Sequence, residues 1–298
     1  MPIVLNKRYM VVDVFTDTPF EGNPLAVFPD ASGMDTSTMQ KIAKELNLSE
    51  TTFVFPATHP DCVAKVRIFT PAKEMDFAGH PTIGTGYVLM KEGIIREGTE
   101  SFMLEERVGP VPVHVDRCPN PLIWLQTPPI TSGMTLDSYN RILCAQALDI
   151  SMEDLIDIAP QLLSAGNPTL FIAVKGKEVV DRVSLNFLKI DSLKKIYPDK
   201  FCLFVFTPTP EGAYSRMFAP DYGITEDPAT GSSTGPLAMY MMQHNLIPAS
   251  SGTRFISEQG TKMGRRSILH VHIKGANGKD GIFVGGKVAP VAECVMKV

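Results

Sequence analysis

Apolar and polar positions alternate with a period of two over most of this chain. Cys62, Ala64, Val66 and Ile68 alternate with Val63, Lys65, Arg67 and Phe69, and Val111, Val113 and Val115 alternate with prolines and His114. Successive side chains of a strand point to opposite faces of a sheet, so this pattern predicts strands. Further runs predict strands over 9–15, 24–28, 51–55, 101–105, 122–126, 169–174, 201–207, 214–218, 253–257, 268–274 and 281–288. Helical spacing is rarer and predicts helices over about 36–46, 81–92, 137–148, 151–157, 188–196 and 232–245.

The helices are of two kinds. In 36–46, Asp35 is placed to cap the first turn, and Met39, Ile42, Ala43 and Leu46 form one apolar stripe, as on a surface helix. The segment 81–92 starts at Pro81, stops at Gly93 and runs Ile83-Gly84-Thr85-Gly86-Tyr87-Val88-Leu89-Met90 with hardly a charge. The stretch Pro236–Met242 is equally apolar. A helix apolar on every side is buried on every side. Gly84 and Gly86 are expected to let strands approach closely.

These two helices belong to a repeat. Gly22-Asn23-Pro24 recurs at Gly166-Asn167-Pro168, Arg67–Pro71 at Arg216–Pro220, and the Gly79 loop at Gly231, with offsets of 144, 149 and 152 residues. Constant order and a slowly drifting offset point to a tandem duplication with a domain-sized period. The fold class expected is α+β: two pseudo-symmetric, barrel-like halves, each a curved, mostly antiparallel sheet around a central buried helix. The first domain is placed at 1–120 and the second at 121–284. The boundary is expected in the proline-rich stretch between Cys118 and Pro129, and the last strand, 285–298, is expected to cross back to the first half.

Composition narrows the function. The 298 residues carry a net charge of −4 with scattered basic residues, which argues against a nucleic-acid surface. Lys7, Arg8 and Asp13 interrupt the apolar run of the first fifteen residues, leaving neither a secretory signal nor a membrane span. A cytoplasmic protein is expected. Five cysteines, at 62, 118, 144, 202 and 294, lack CxxC spacing and are expected to be buried thiols. His270-x-His272 reads as a strand face with no third metal ligand nearby, and Gly260–Arg265 lacks the ending of a phosphate loop. Neither a metal nor a cofactor is expected.

Both buried helices begin at glycine-containing loops, Asp76-Phe77-Ala78-Gly79-His80-Pro81 and Asp227-Pro228-Ala229-Thr230-Gly231-Ser232. A helix N-terminus exposes N–H groups and the positive end of the dipole, so a small carboxylate is the expected guest. The copies differ in their polar residues: His80 in one, Ser232, Ser233 and Thr234 in the other. Glu50 sits between a helix and a strand; taken alone, a glutamate there reads as a surface residue.

The runs Glu21–Phe28, Asn47–Val54, Arg67–Pro71, Phe77–Thr85, Asp227–Ser232 and Gln259-Gly260 resemble the PhzF-like phenazine biosynthesis proteins from end to end. That family is similar in fold to diaminopimelate epimerase, and its members are commonly homodimers. The resemblance implies a cofactor-independent isomerase that shifts a proton on a small cyclic amino or hydroxy carboxylic acid. It places the acid/base group at Glu50, in the cleft between domains, and substrate-binding groups at His80, Asp227, Ser232, Gly79 and Gly231. Phe53, Phe55 and Phe77 are the neighbours expected to surround Glu50. Asp76 and Ser233-Thr234 depart from the family pattern and are expected beside the pocket.

Two alternatives stay open. One is a non-catalytic small-molecule-binding protein on the same fold. The other is an amino-acid racemase or epimerase, whose chemistry uses a thiol at each repeat loop; Ala78-Gly79-His80 and Thr230-Gly231-Ser232 contain none.

Overall fold

A computed structural model describes residues 6–116, 120–197 and 199–298. Cys118, where the expected boundary begins, lies outside the described residues. The chain divides into unit 1, Met1–Gln126 with Gly285–Val298, and unit 2, Thr127–Val284. The fold is α+β, with mixed parallel and antiparallel strand pairing.

Unit 1 contains β1 (Asn6–Val14), β2 (Asn23–Phe28), β3 (Glu50–Phe55), β4 (Ala64–Phe69), β5 (Glu74–Met75), β6 (Ser101–Glu106), β7 (Gly109–Asp116) and β8 (Leu122–Gln126). The C-terminal strand β18 (Val288–Lys297) pairs antiparallel with β1. From β1 the sheet runs antiparallel to β2, parallel to β3 and antiparallel to β4. It continues with β5 antiparallel and β6 parallel on β4, and with β7 and β8 antiparallel beyond β6.

Two helices cover unit 1 differently. α1 (Thr36–Leu46) is capped as expected, Asp35 Oδ1 accepting the Thr38 N–H at 2.7 Å. Its stripe of Met39, Ile42 and Ala43 packs on Phe28, Phe53 and Phe69. α2 (Gly79–Lys91) touches β1, β2, β3, β8 and β18 and is buried from His80 to Gly86. A Cβ on Gly84 would stand 2.6 Å from Leu25 Cδ2 and 2.8 Å from Val14 Cγ2, closer than carbon atoms approach, so the strands close on the helix only because the side chain is missing.

Unit 2 contains β9 (Thr131–Thr135), α3 (Ser138–Ala147), β10 (Gln161–Ser164), β11 (Pro168–Ala173), α4 (Lys177–Arg182), α5 (Phe187–Lys194), β12 (Cys202–Thr209), β13 (Gly212–Ala219), β14 (Ile224–Asp227), α6 (Gly231–Gln243), β15 (Arg254–Gln259) and β16 (Ser267–Lys274); it ends at Val284, within β17 (Gly281–Gly286). From β10 the pairing is antiparallel to β11, parallel to β12 and antiparallel to β13. On β13 lie β14, antiparallel, and β15, parallel, with β16 antiparallel beyond. α6 touches β10, β11 and β16, and a Cβ on Gly235 would meet Thr127 Oγ1 at 2.2 Å.

Two expectations are corrected. The helix expected over 151–157 is a single 3₁₀ turn at Met152–Asp154, closed by a Ser151/Asp154 capping box. The chain then leaves for the sheet: Leu155 bridges Val174, and the Ile156 N–H donates to the Ala173 carbonyl at 3.0 Å. Pairing with an existing strand outweighs a helix too short to bury a stripe of its own. The helix predicted to open at Pro81 opens at Gly79, and Pro81, within the first turn, forfeits no intrahelical bond. Cys62, Cys144 and Cys202 are buried free thiols, whereas Cys294 is half-buried.

Candidate active site

In unit 1, the end of α1 fixes Glu50. Asn47 takes the left-handed conformation (φ 51°) and its N–H donates to the Ala43 carbonyl at 3.1 Å, which turns the chain into β3 with Glu50 as its first residue. Residues 50, 52 and 54 then share one face of β3. Thr52 Oγ1 lies 2.8 Å from Thr85 Oγ1 on α2, so this face looks at the buried helix. Phe53 and Phe55 have the opposite parity: Phe53 stacks on Phe28 at 4.9 Å and meets Phe69 edge-on at 5.5 Å, in the cluster under α1. They do not surround Glu50, because a strand separates odd from even positions whatever their sequence distance.

His80, in the first turn of α2, comes to Glu50 instead. Its Nε2 lies 3.2 Å from Glu50 Oε2, with the side chains 8% and 13% exposed. Burial pushes the imidazole down to about 3, so His80 is neutral at physiological pH and the contact is not a charged pair. An ionised Glu50 would pull the imidazole the other way; burial dominates, since His80 is enclosed and Nε2 makes no aligned hydrogen bond.

In unit 2, Asp227 ends β14 and is 8% exposed. The Thr230 hydroxyl donates to Asp227 Oδ2. Gln259, fully buried at the end of β15, closes the turn: Nε2 donates to the Asp227 carbonyl at 2.6 Å and to Thr230 Oγ1 at 3.0 Å, and Oε1 accepts the Thr230 N–H at 3.2 Å. Ser232, half-buried, has the Asn167 amide 3.5 Å from its Oγ.

Neither α2 nor α6 has a capping side-chain bond or an acidic residue in its first turn. The positive end of each dipole is therefore not offset from within the helix, and Gly79 and Gly231 carry no side chain over it.

The repeated Arg-x-Phe runs hold these loops. Arg67 donates to both carboxylate oxygens of Glu74 at 2.7 Å, and Arg216 to both of Glu226 at 2.8 Å. Each guanidinium also lies over a phenylalanine ring, Phe69 at 5.2 Å and Phe218 at 4.8 Å. Glu226 immediately precedes Asp227, so this fork sets where that carboxylate stands.

The departures from the family pattern have structural partners. Asp76 is exposed and pairs with Arg107 at 3.0 Å. Ser233 and Thr234 are fully buried; Ser233 Oγ lies 2.9 Å from Thr169 Oγ1, and the Thr234 hydroxyl donates to the Thr230 carbonyl at 2.9 Å. They serve the interior of unit 2. His270 and His272 share the half-buried face of β16, and among the described residues no group of three His, Cys, Asp or Glu side chains is placed to hold a metal ion.

Of the residues singled out from sequence, Glu50 meets His80, and Asp227 and Ser232 stand at opposite ends of the turn that opens α6. Roles for Asn167, Thr230, Gln259, Thr82 and Glu106 were not read from the sequence. The available signal for the last was positional: Glu106 and Gln259 each end a strand that pairs parallel with the strand carrying an Arg-x-Phe run.

The α+β scaffold thus buries a carboxyl group against a neutral imidazole at the start of an apolar helix. The chain belongs to the phenazine biosynthesis-like protein family, whose model matches residues 12–294. It is 32% identical to trans-2,3-dihydro-3-hydroxyanthranilate isomerase of Pseudomonas aeruginosa, over 96% of this chain and 98% of that one. A Bacillus anthracis phenazine biosynthesis protein of the PhzF family superposes with a TM-score of 0.87 at 25% identity, covering 99% of this chain and 100% of that one. A predicted epimerase from Pseudomonas aeruginosa gives a TM-score of 0.81 at 30% identity, covering 97% and 99%. Membership makes the chain an isomerase of this family. No helix among the described residues is long and apolar enough to cross a membrane.

Proposed function

We propose that this isomerase shifts a proton between carbon atoms of a small cyclic amino or hydroxy carboxylic acid without a cofactor, with Glu50 as the group that takes and returns the proton. The observation that carries the reading is the buried contact between Glu50 and the neutral His80. A carboxylate taken out of water becomes a stronger base toward a carbon acid, and it needs a neighbour that orients it without neutralising it. A neutral imidazole does this; an imidazolium would hold the carboxylate ionised and weaken it as a base.

Substrate binding is assigned to His80 and the Gly79 N–H in unit 1, and to Asp227, Ser232 and the Gly231 N–H in unit 2. Asp227 suits an amino group, and the helix N-termini suit a carboxylate. The isomerase relative named for a hydroxylated cyclic amino acid supports that substrate class.

The two units are read as copies of one domain. Support comes from the shared succession of parallel and antiparallel pairings, the paired Arg–Glu forks, and the glycine in each buried helix where a Cβ has no room. On this reading the copies have diverged in chemistry: Glu50 and His80 in one, Asp227 and Ser232 in the other.

The test is a screen of cyclic amino and hydroxy acids in heavy water, read by mass spectrometry, with Glu50→Gln as the blank. Deuterium uptake that depends on Glu50 is expected. Binding without exchange in the unsubstituted protein would replace the enzyme reading with that of a binding protein.

A further inference from the structure

Glu106, the last residue of β6, is 5% exposed and is not one of the groups assigned above. Its Oε1 lies 2.6 Å from Thr82 Oγ1, and Thr82 Oγ1 in turn lies 2.8 Å from the Ala78 carbonyl oxygen. A hydroxyl has one proton and cannot donate to both oxygens. One of the two contacts must be made with another group's proton.

The matching turn of unit 2 offers a comparison for the threonine proton. Strand register aligns Lys65 with Glu105 across β4 and β6, and Tyr214 with Glu258 across β13 and β15, so Glu106 and Gln259 end equivalent strands. Thr82 and Thr234 are likewise equivalent, each four residues past the cap of its helix. The Thr234 hydroxyl donates to the carbonyl of its cap residue, Thr230, at 2.9 Å. The strand-end side chain there, Gln259, is a donor: its amide reaches Thr230 Oγ1 at 3.0 Å. If Thr82 donates to Ala78 as Thr234 does to Thr230, the proton between Thr82 and Glu106 belongs to Glu106.

We propose that Glu106 is a positioning residue that works as a neutral carboxylic acid, its O–H donating to Thr82 and Thr82 donating to the Ala78 carbonyl, so that this chain of protons fixes the turn that presents His80. Its other oxygen, Oε2, is buried with no hydrogen bond among the described residues. That is tolerable for the carbonyl oxygen of an acid and expensive for a carboxylate.

The surroundings agree. Burial pushes Glu106 up to about 8, against the opposing effect of Thr82. The flanking charges turn elsewhere: Glu105 binds Lys65 on β4, and Arg107 pairs with Glu74 on β5 and with Asp76. His80, the ionisable group in the first turn of α2, is neutral. Gln259, at the matching strand end, spends its amide on the cap residue Thr230 and on the Asp227 carbonyl, whereas Ala78 offers Glu106 no hydroxyl at the cap.

The inference rests on the proposed function only for what the turn presents, so its test uses no substrate. Infrared difference spectra of the whole protein against Glu106→Gln should show a carboxylic-acid carbonyl band at neutral pH that disappears as pH rises through about 8. Amide hydrogen exchange over residues 79–82, corrected for the intrinsic pH dependence, should quicken about tenfold across the same range in the unsubstituted protein and not in Glu106→Gln. Glu106→Leu should show the faster exchange at every pH while keeping the exchange of distant strands, which separates a loosened turn from a failed fold. Absence of the acid band at neutral pH, or the same pH response in Glu106→Gln, overturns the proposal. Loss of Glu50-dependent turnover with these results intact would instead count against the functional reading.

Discussion

His80 Nε2 and Glu50 Oε2 stand 3.2 Å apart, one from the first turn of an apolar helix and the other from the first position of a strand. The imidazole is neutral through burial, and in the proposed mechanism it orients a carboxyl group rather than supplying a positive charge. In the proposed mechanism Glu50→Gln keeps the shape and removes the base: turnover should fall by about two orders of magnitude or more, with substrate affinity largely retained. Steady-state kinetics on a substrate found by heavy-water exchange checks this, and equal turnover would sink the assignment.

Burial of His80 sets an acid limb to stability. Its pKa in the folded protein, about 3, lies below the ordinary 6.5, so between these values the unfolded chain binds more protons. This contribution is complete above about 6.5 and is lost progressively as pH falls toward 3. His80→Gln, which cannot be protonated, should lose less stability on acidification than the unsubstituted protein, as measured by urea unfolding at a series of pH values.

Glu106 acts in the opposite direction. A folded-state value of about 8 against an ordinary 4.5 means that the folded protein holds the extra proton. Its contribution is complete below about 4.5 and declines as pH rises toward 8. Relative to the unsubstituted protein, Glu106→Gln should gain stability over that range and level off beyond it; a constant difference would contradict the assignment.

Arg216 is 8% exposed, forks onto Glu226, and donates through Nη1 to the carbonyls of Val180, Asp181 and Val183 at 3.2, 3.2 and 2.9 Å. Replacing it with methionine strands a half-buried carboxylate and three carbonyls, and should cost about 3–5 kcal/mol. Lysine should not rescue it, because one ammonium group cannot reproduce the planar fork. Denaturant unfolding gives the number.

Gly84→Ala tests the close approach of β1 and β2 to α2. Helix propensity alone favours alanine by about 1 kcal/mol. The new methyl group would nevertheless overlap Leu25 and Val14, and overpacking of this kind costs about 1–3 kcal/mol. A net loss of stability is expected; a gain would show that the strands can yield.

The sequence by itself determined what depends on neighbours along the chain. Asp35 caps α1 because the bond it makes spans three residues. The strands follow from a period of two, and the burial of α2 and α6 follows from apolar residues on all sides. The family could be read from its motifs, and with it the proposal for Glu50, which no local pattern distinguishes from a surface glutamate. Tertiary structure decided the rest. Parity on β3 removed Phe53 and Phe55 from the surroundings of Glu50, and packing of α2 against that strand brought His80 across twenty-nine intervening positions. A strand partner, Val174, ended the helix expected over 151–157. The proton state of Glu106 was equally invisible in sequence, since it depends on which oxygens surround a carboxyl group and how little water reaches it. Periodicity reports which side of an element a residue occupies; only packing decides what stands opposite.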